Sequence, residues 1–283
     1  MSRSRKAELI LISITLVWGG TFAVVKFALT DASPLTFLAI RFGIASLIFP
    51  LIYRKNYFAM DKATLVGGLI LGVLLMIGFA FQTIGLKYTS ASKSAFITGL
   101  LVAFTPIAQA VIEKRLPTKG SMIGVGLVAI GLYLLTSPGG QGFNIGDILT
   151  LFCAISYAIY IVYLDIFSKK HDVSNLTLLQ LATTSALSIL AAPFVEKIHV
   201  HLTTGLLWAF LYTSILATVF ATYLQTKYQR DTMPVKAAII FSIEPVFANV
   251  IAFFAFGEFV GYIGAIGGAL IIAGLLTSEL LDR

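Results

Sequence analysis

The chain has 283 residues, 58% of them hydrophobic and 12% charged, where an ordinary soluble domain carries roughly 45–50% and about 25%. A mean hydropathy of +0.94 excludes a water-soluble globular protein, and the net charge of +7 is scattered in small clusters that offer no basic face to a nucleic acid. At roughly 20 residues per span the length suffices for about ten membrane helices, with few residues left over.

Ten apolar runs follow in chain order: 9–27, 35–53, 63–86, 95–112, 120–136, 148–166, 176–195, 206–224, 237–256 and 260–276, the fifth and tenth being the shortest. They are uniformly apolar, whereas barrel strands alternate over about ten residues, so the spans are predicted to be helices. The basic start at Arg3, Arg5 and Lys6 superficially looks like a signal peptide. The run after it exceeds the usual 7–15 residues, has no A-x-A site behind it and carries Lys26 near its end, so it is predicted to be the first span. The connections are too short to fold alone, which puts function within the bilayer. With a cytoplasmic N-terminus the inner segments hold 15 Lys and Arg and the outer ones only Lys26, Lys87, Lys93 and Lys197, with Arg41 inside a helix. Both termini are therefore expected to face the cytoplasm.

The halves resemble each other. Gln82-Thr83, Lys87-Tyr88, Thr105-Pro106, Gly124, Gly131-Leu132 and Leu135-Thr136-Ser137 in the first are echoed by Gln225-Thr226-Lys227-Tyr228, Glu244-Pro245, Gly267, Gly274-Leu275 and Leu276-Thr277-Ser278 in the second. An odd number of helices per half inserts the second copy upside down, as in many secondary transporters. The expected fold is an all-α membrane protein of ten transmembrane helices in two inverted five-helix repeats, 1–137 and 147–283, joined by an extracytoplasmic linker, 138–146.

Enzyme chemistry lacks its groups. His171, His199 and His201 fall in loops, Gly124-Val125-Gly126 lacks the strand and lysine of a phosphate loop, and Cys153 is the single cysteine, so neither a catalytic site, a metal site nor a cofactor is expected. Gly120 and Gly124, Gly257 and Gly261, and Gly264 and Gly268 are four apart; they suit close helix packing, as scaffold or in a homodimer contact.

Pro106 and Pro245 fall at near-corresponding places in the fourth and ninth runs. Each removes an N–H and frees a carbonyl one turn earlier, on Val102 and Phe241, so both are hinge candidates. Glu244 lies near the middle of its run, where an acid costs about 2.5–3.5 kcal/mol, and its retention asks for a wet cavity, a partner or a proton. Proton coupling and a structural bond to a freed carbonyl are both open to it. Arg41 lies about 10 Å below the outer boundary; snorkelling, ion pairing and binding a substrate carboxylate are its open roles. Gln82, Gln109 and Asn249 are further polar groups within spans, and Trp18, Tyr157 and Tyr160 cluster in the equivalent first helices of the halves, where they suit a cavity wall.

Trp18-Gly19-Gly20-Thr21, Arg41-Phe42, Lys87-Tyr88-Thr89-Ser90-Ala91, and 241–248 (Phe-Ser-Ile-Glu-Pro-Val-Phe-Ala) with Gly257-Glu258, in this order over ten predicted helices, resemble the EamA family of the drug/metabolite transporter superfamily. The resemblance covers essentially the whole chain. It implies a basket-like bundle around a central cavity, in a bacterial or archaeal inner membrane, exporting amino acids or related metabolites. In the first half Thr105 is the counterpart of Glu244, so the acid is not duplicated. The expected activity is a secondary transporter working by alternating access, with a passive facilitator or channel as the alternative. One intramembrane cation and one acid suit a small zwitterion better than a phosphate ester, so the expected partners are lipids and such a substrate.

Overall fold

The structure, a computed structural model, describes residues 3–53, 60–136, 144–248, 250 and 261–281. Among these there is no strand, only an isolated antiparallel bridge between Ala32 and Val200. The helices are α1 (Arg3–Gly19), α2 (Thr21–Ala28), α3 (Pro34–Ile52), α4 (Lys62–Gly85), α5 (Ala91–Gly99), α6 (Leu101–Glu113), α7 (Lys119–Thr136), α8 (Ile145–Lys170), α9 (Val173–Val195), α10 (Thr204–Leu211), α11 (Ala221–Tyr228), α12 (Pro234–Phe241) and α13 (Tyr262–Leu281). A π-helical stretch, Tyr212–Phe220, joins α10 to α11, and 244–248 is helical after a turn at 242–243.

Among the described residues seven stretches are long and apolar enough to cross a membrane: Arg3–Ala28, Pro34–Ile52, Lys62–Gly85, Lys93–Glu113, Ile145–Lys170, Val173–Val195 and Thr204–Asp231. Lys119–Leu134 and Tyr262–Ser278 are shorter apolar helices, as the fifth and tenth runs predict. Leu51, Val111 and Phe194 point outward at 72%, 72% and 90% exposure, an apolar exterior that fits lipid and not water.

Helix ends follow local chemistry. Asp61, Asp172 and Thr203 cap α4, α9 and α10 by accepting from the backbone N–H three residues on, and Asn144 with Asp147 forms a capping box on α8. Pro34 and Pro234 open α3 and α12. Glu196, just past α9, accepts from Leu35 N–H at 3.0 Å and Thr36 N–H at 2.9 Å, which ties the end of α9 to the start of α3 and makes the two antiparallel. Lys26 donates to the carbonyls of Leu86 and of Thr89, the latter at 2.9 Å, so this cation is spent on the end of α4.

Glycines set the helix contacts. A Cβ on Gly124 would lie 2.8 Å from the Gly274 carbonyl, and one on Gly131 2.6 Å from the Gly267 carbonyl, so α7 and α13 run antiparallel in backbone contact. α4 lies parallel to α9, with Gly68 against Leu179 and Gly72 against Thr183, and antiparallel to α8, with Gly78 against Tyr157 and Gly85 against Gly146. Elements of the first half thus pack chiefly on elements of the second. Of the glycines expected to pack, Gly124 is at this contact, Gly120, Gly264 and Gly268 are buried, a Cβ on Gly261 would meet nothing within 4 Å, and Gly257 lies outside the described residues. The contact glycines are spaced by seven along each helix, two full turns, and the partner surface belongs to the same chain.

The helix breaks differ from the two proline positions. α6 runs on through Pro106, and the break in this span falls at Leu100, after Gly99; in the ninth run it falls at 242–243, within a turn of Pro245. Both breaks tighten in the same way. Leu100 N–H bonds the Ile97 carbonyl and Ala103 N–H that of Leu100, as Ile243 bonds Ile240 and Val246 bonds Ile243, each three residues back. The Ser242 hydroxyl reaches the Gly99 carbonyl at 3.1 Å, so the two breaks touch.

Candidate functional site: a cavity between the halves

Six spans each turn a pair of residues three apart toward one central cavity: Trp18 and Thr21, Phe79 and Gln82, Thr98 and Leu101, Tyr157 and Tyr160, Thr222 and Gln225, and Phe241 and Glu244. In the unbroken helices this spacing places both members on one face, and in the pairs 18/21, 98/101 and 241/244 the members lie either side of a helix break. Arg41, Leu75 and Ile161 complete the wall around an empty space of about 630 Å³, open mouth included.

The aromatic side of the wall is a chain of ring contacts. Trp18 meets Phe241 edge-on at 5.4 Å, Phe42 meets Phe79 at 5.0 Å and Phe79 meets Tyr157 at 5.6 Å. Gly78 makes room for this: a Cβ there would lie 2.2 Å from the Tyr157 ring. The Tyr157 hydroxyl is buried and finds no hydrogen-bond partner among the described residues.

Two irregular spans hold the polar side. The chain breaks at Gly20, and Gly20 leaves space for the Tyr212 hydroxyl, which donates to the Val17 carbonyl at 2.5 Å. Trp18 Nε1 donates to the Ala217 carbonyl at 3.0 Å. A Cβ on Gly19 would lie 3.1 Å from both the Glu244 carbonyl and the Ala248 N, so the first span presses against the helix that carries Glu244. No described donor reaches the Glu244 carboxyl.

Arg41 is 2% exposed and does not snorkel. Its Nε donates to Thr218 Oγ1 at 2.9 Å, and its guanidinium carbon lies 4.7 Å from the Phe79 ring centre and 5.3 Å from that of Phe42. Toward the basic-loop end the cavity is backed by a buried ladder. Tyr160 donates to Gln180 at 2.7 Å, Gln180 to Thr226 at 3.0 Å, Gln225 to Gln229 at 3.1 Å, and Gln229 to the Ile161 carbonyl at 2.7 Å.

The cavity therefore brings together Trp18, Arg41, Gln82, Tyr157, Tyr160 and Glu244. Thr105 and Gln109 do not line it: Thr105 donates back to the Leu101 carbonyl at 2.7 Å, and Gln109 bonds Glu113 at 2.8 Å near the end of α6. Asn249 lies outside the described residues. Thr21, Thr98, Thr222 and Thr218 were not foreseen; Thr21 and Thr222 have a sequence sign, an aromatic or polar residue three positions away (Trp18 and Gln225) within an apolar run, and Thr98 and Thr218 have none. Among the described residues no group of three His, Cys, Asp or Glu could hold a metal.

A multi-span helical bundle with a polar and aromatic cavity between its halves is the architecture of a membrane transporter. The model of the EamA-like transporter family matches residues 5–137 and again 144–279. The chain belongs to this family, within the drug/metabolite transporter superfamily. An uncharacterized transporter of Archaeoglobus fulgidus is 36% identical over 97% of this chain and 86% of its own length. The uncharacterized transporter YyaM of Bacillus subtilis is 25% identical over 97% and 94%, and a probable amino-acid metabolite efflux pump of Escherichia coli is 32% identical over 59% and 54%. A solved crystal structure at 20% identity superposes with a TM-score of 0.82 over 99% of this chain and 98% of its own, which shows the shared fold.

Proposed function

We propose that the protein is a secondary transporter that exports amino acids or related small zwitterionic metabolites across the cell's inner membrane by alternating access. The observation that carries this reading is the cavity, in which one buried cation, Arg41, and one acid, Glu244, from opposite halves share an aromatic wall. The mechanism rests on two inverted five-helix repeats, 1–137 and 147–283, with both termini cytoplasmic. In support, the family model matches twice, and the pairs that would be equivalent, α3 with α9 and α7 with α13, run antiparallel. The touching breaks at Leu100 and 242–243 give the halves a place to rock. A partial relative named by activity is a probable amino-acid metabolite efflux pump.

Two experiments test it. In a Cys153→Ser background, a cysteine at Gly140 reacts with an impermeant thiol reagent from outside and one at Lys170 does not; labelling at Lys170 from outside defeats the inverted arrangement. In proteoliposomes with a pH gradient, Glu244→Gln abolishes gradient-driven accumulation of amino acids and leaves exchange intact, because the amide keeps the shape and cannot cycle a charge. Accumulation that survives the substitution makes Glu244 structural and puts the coupling on another group or ion, whereas a wild type that never accumulates substrate is a passive facilitator.

A further inference from the structure

We propose that Arg41 is the anion receptor of the cavity, taking the carboxylate of the substrate on its two terminal nitrogens, and that Thr218 is its positioning residue. This rests on the transport reading and adds the chemistry of one subsite.

A guanidinium carries five N–H donors in a planar fork. One of the five, on Nε, is used by Thr218, and among the described residues Arg41 makes no ion pair and no other hydrogen bond. Four donors on the terminal nitrogens remain, on a side chain 2% exposed that lines the cavity. An arginine at the depth of the bilayer is expensive unless it is paired or faces a wet cavity. The two features that hold Arg41 also keep it from reaching the headgroups: the touching rings of Phe79 and Phe42 pack against its guanidinium, and Thr218 fixes Nε. Arg41 lines the empty space with its terminal nitrogens uncommitted to any described residue, and a carboxylate fits such a fork with two parallel hydrogen bonds. A phosphate ester brings about two charges, and this wall supplies one cation.

The π-helical stretch explains how Thr218 comes to do this. In an α-helix a threonine hydroxyl bonds the carbonyl four residues back; Thr218 Oγ1 donates at 2.7 Å to Thr213, five residues back. With its single proton committed there, the hydroxyl faces Arg41 as an acceptor only. The widened turn thus sets the role of Thr218 as well as its position, as π-segments often do at functional sites. Glu244, on the same wall, is placed to meet the ammonium of the same molecule.

The test uses counterflow in proteoliposomes with two matched pairs, leucine against leucinamide and phenylalanine against phenylalaninamide, which differ at the carboxylate alone. The wild type is expected to prefer the acids by about tenfold or more, the scale of hydrogen bonds to a charged group. Arg41→Gln and Arg41→Lys lose this preference, the lysine because a point charge does not reproduce the fork. Thr218→Val, which keeps the shape and risks less in folding, raises KM for the acids with the maximal rate and the amides little changed, and Thr218→Ser restores it. Acids that move with the same preference in Arg41→Gln, or amides that move where acids do not, overturn the inference and leave transport standing. No flux of any of the four by a protein that melts normally overturns both.

Discussion

Between α7 and α13, glycines at 124, 131, 267 and 274 bring two backbones into contact, whereas around the cavity Gly20 and Gly78 hold two helices apart by the width of a tyrosine. The residue type is the same and the structural use is opposite. Where a Cβ would strike backbone, as Gly131 does against Gly267 and Ile271 N, glycine makes a dry seam that cannot yield. Where it would strike an aromatic side chain, glycine shapes a wall around a space that something else must fill. The seam between α7 and α13 is thus rigid by close approach and the cavity wall is open around its side chains, the division that rocking halves need.

The widest break in this comparison comes from Gly131→Leu, whose Cβ would sit 2.6 Å from a carbonyl and 2.9 Å from a backbone nitrogen. It is expected to cost about 3 kcal/mol, the upper range for overpacking, seen as a large fall in melting temperature in detergent. Gly126→Leu is its control: a Cβ there meets nothing within 4 Å, so melting stays near the wild type. Equal falls in the two variants would mean that the α7–α13 seam is not what the glycine serves.

Gly78→Ala sharpens the other side. The added methyl pushes the Tyr157 ring toward the cavity, and since a ring can swing where a backbone cannot, stability drops by about 1 kcal/mol. Leucine counterflow is expected to fall steeply all the same. Unchanged flux would show that the Tyr157 side of the wall does not touch the path.

The smallest effect is at the rim. Hydrogen bonds from Thr64 hold the Asp61 carboxyl below its ordinary range. A depressed pKa in the folded state gives stability that is fully present above the unfolded value, about 3.9, and that fades as pH falls through the lower folded one. Asp61→Asn should therefore lower the melting temperature slightly at pH 7, approach the wild type at pH 3, and flatten the decline below about pH 4. A larger difference at pH 3 than at pH 7 would contradict this role.

Much of the architecture was legible because membrane spans announce themselves by length and uniform apolarity, down to the short fifth and tenth runs, and the glycines of those runs signalled close helix packing, although not which helices would meet. The cavity was legible in part. Arg41 and Glu244 stand out by their cost in a membrane, and Trp18, Tyr157 and Tyr160 by their clustering. Thr105 and Gln109 were misleading for a physical reason: a polar residue inside a helix can satisfy itself on its own backbone or on a neighbour one turn away, and both do. The break at Leu100 carries no proline, and the π-turn around Thr218 no sequence signal at all, because both depend on which neighbour each helix must reach.

The most direct test of alternating access at this cavity is the reactivity of one thiol from two sides. With Cys153 replaced by Ser and Gln82 by Cys, a membrane-impermeant maleimide is applied to right-side-out and inside-out vesicles. Labelling from each side is expected, with saturating leucine on one side suppressing labelling from the other, since one opening excludes the other. Undiminished labelling from both sides at once, together with ion leak, would contradict the account and make the cavity a continuous pore.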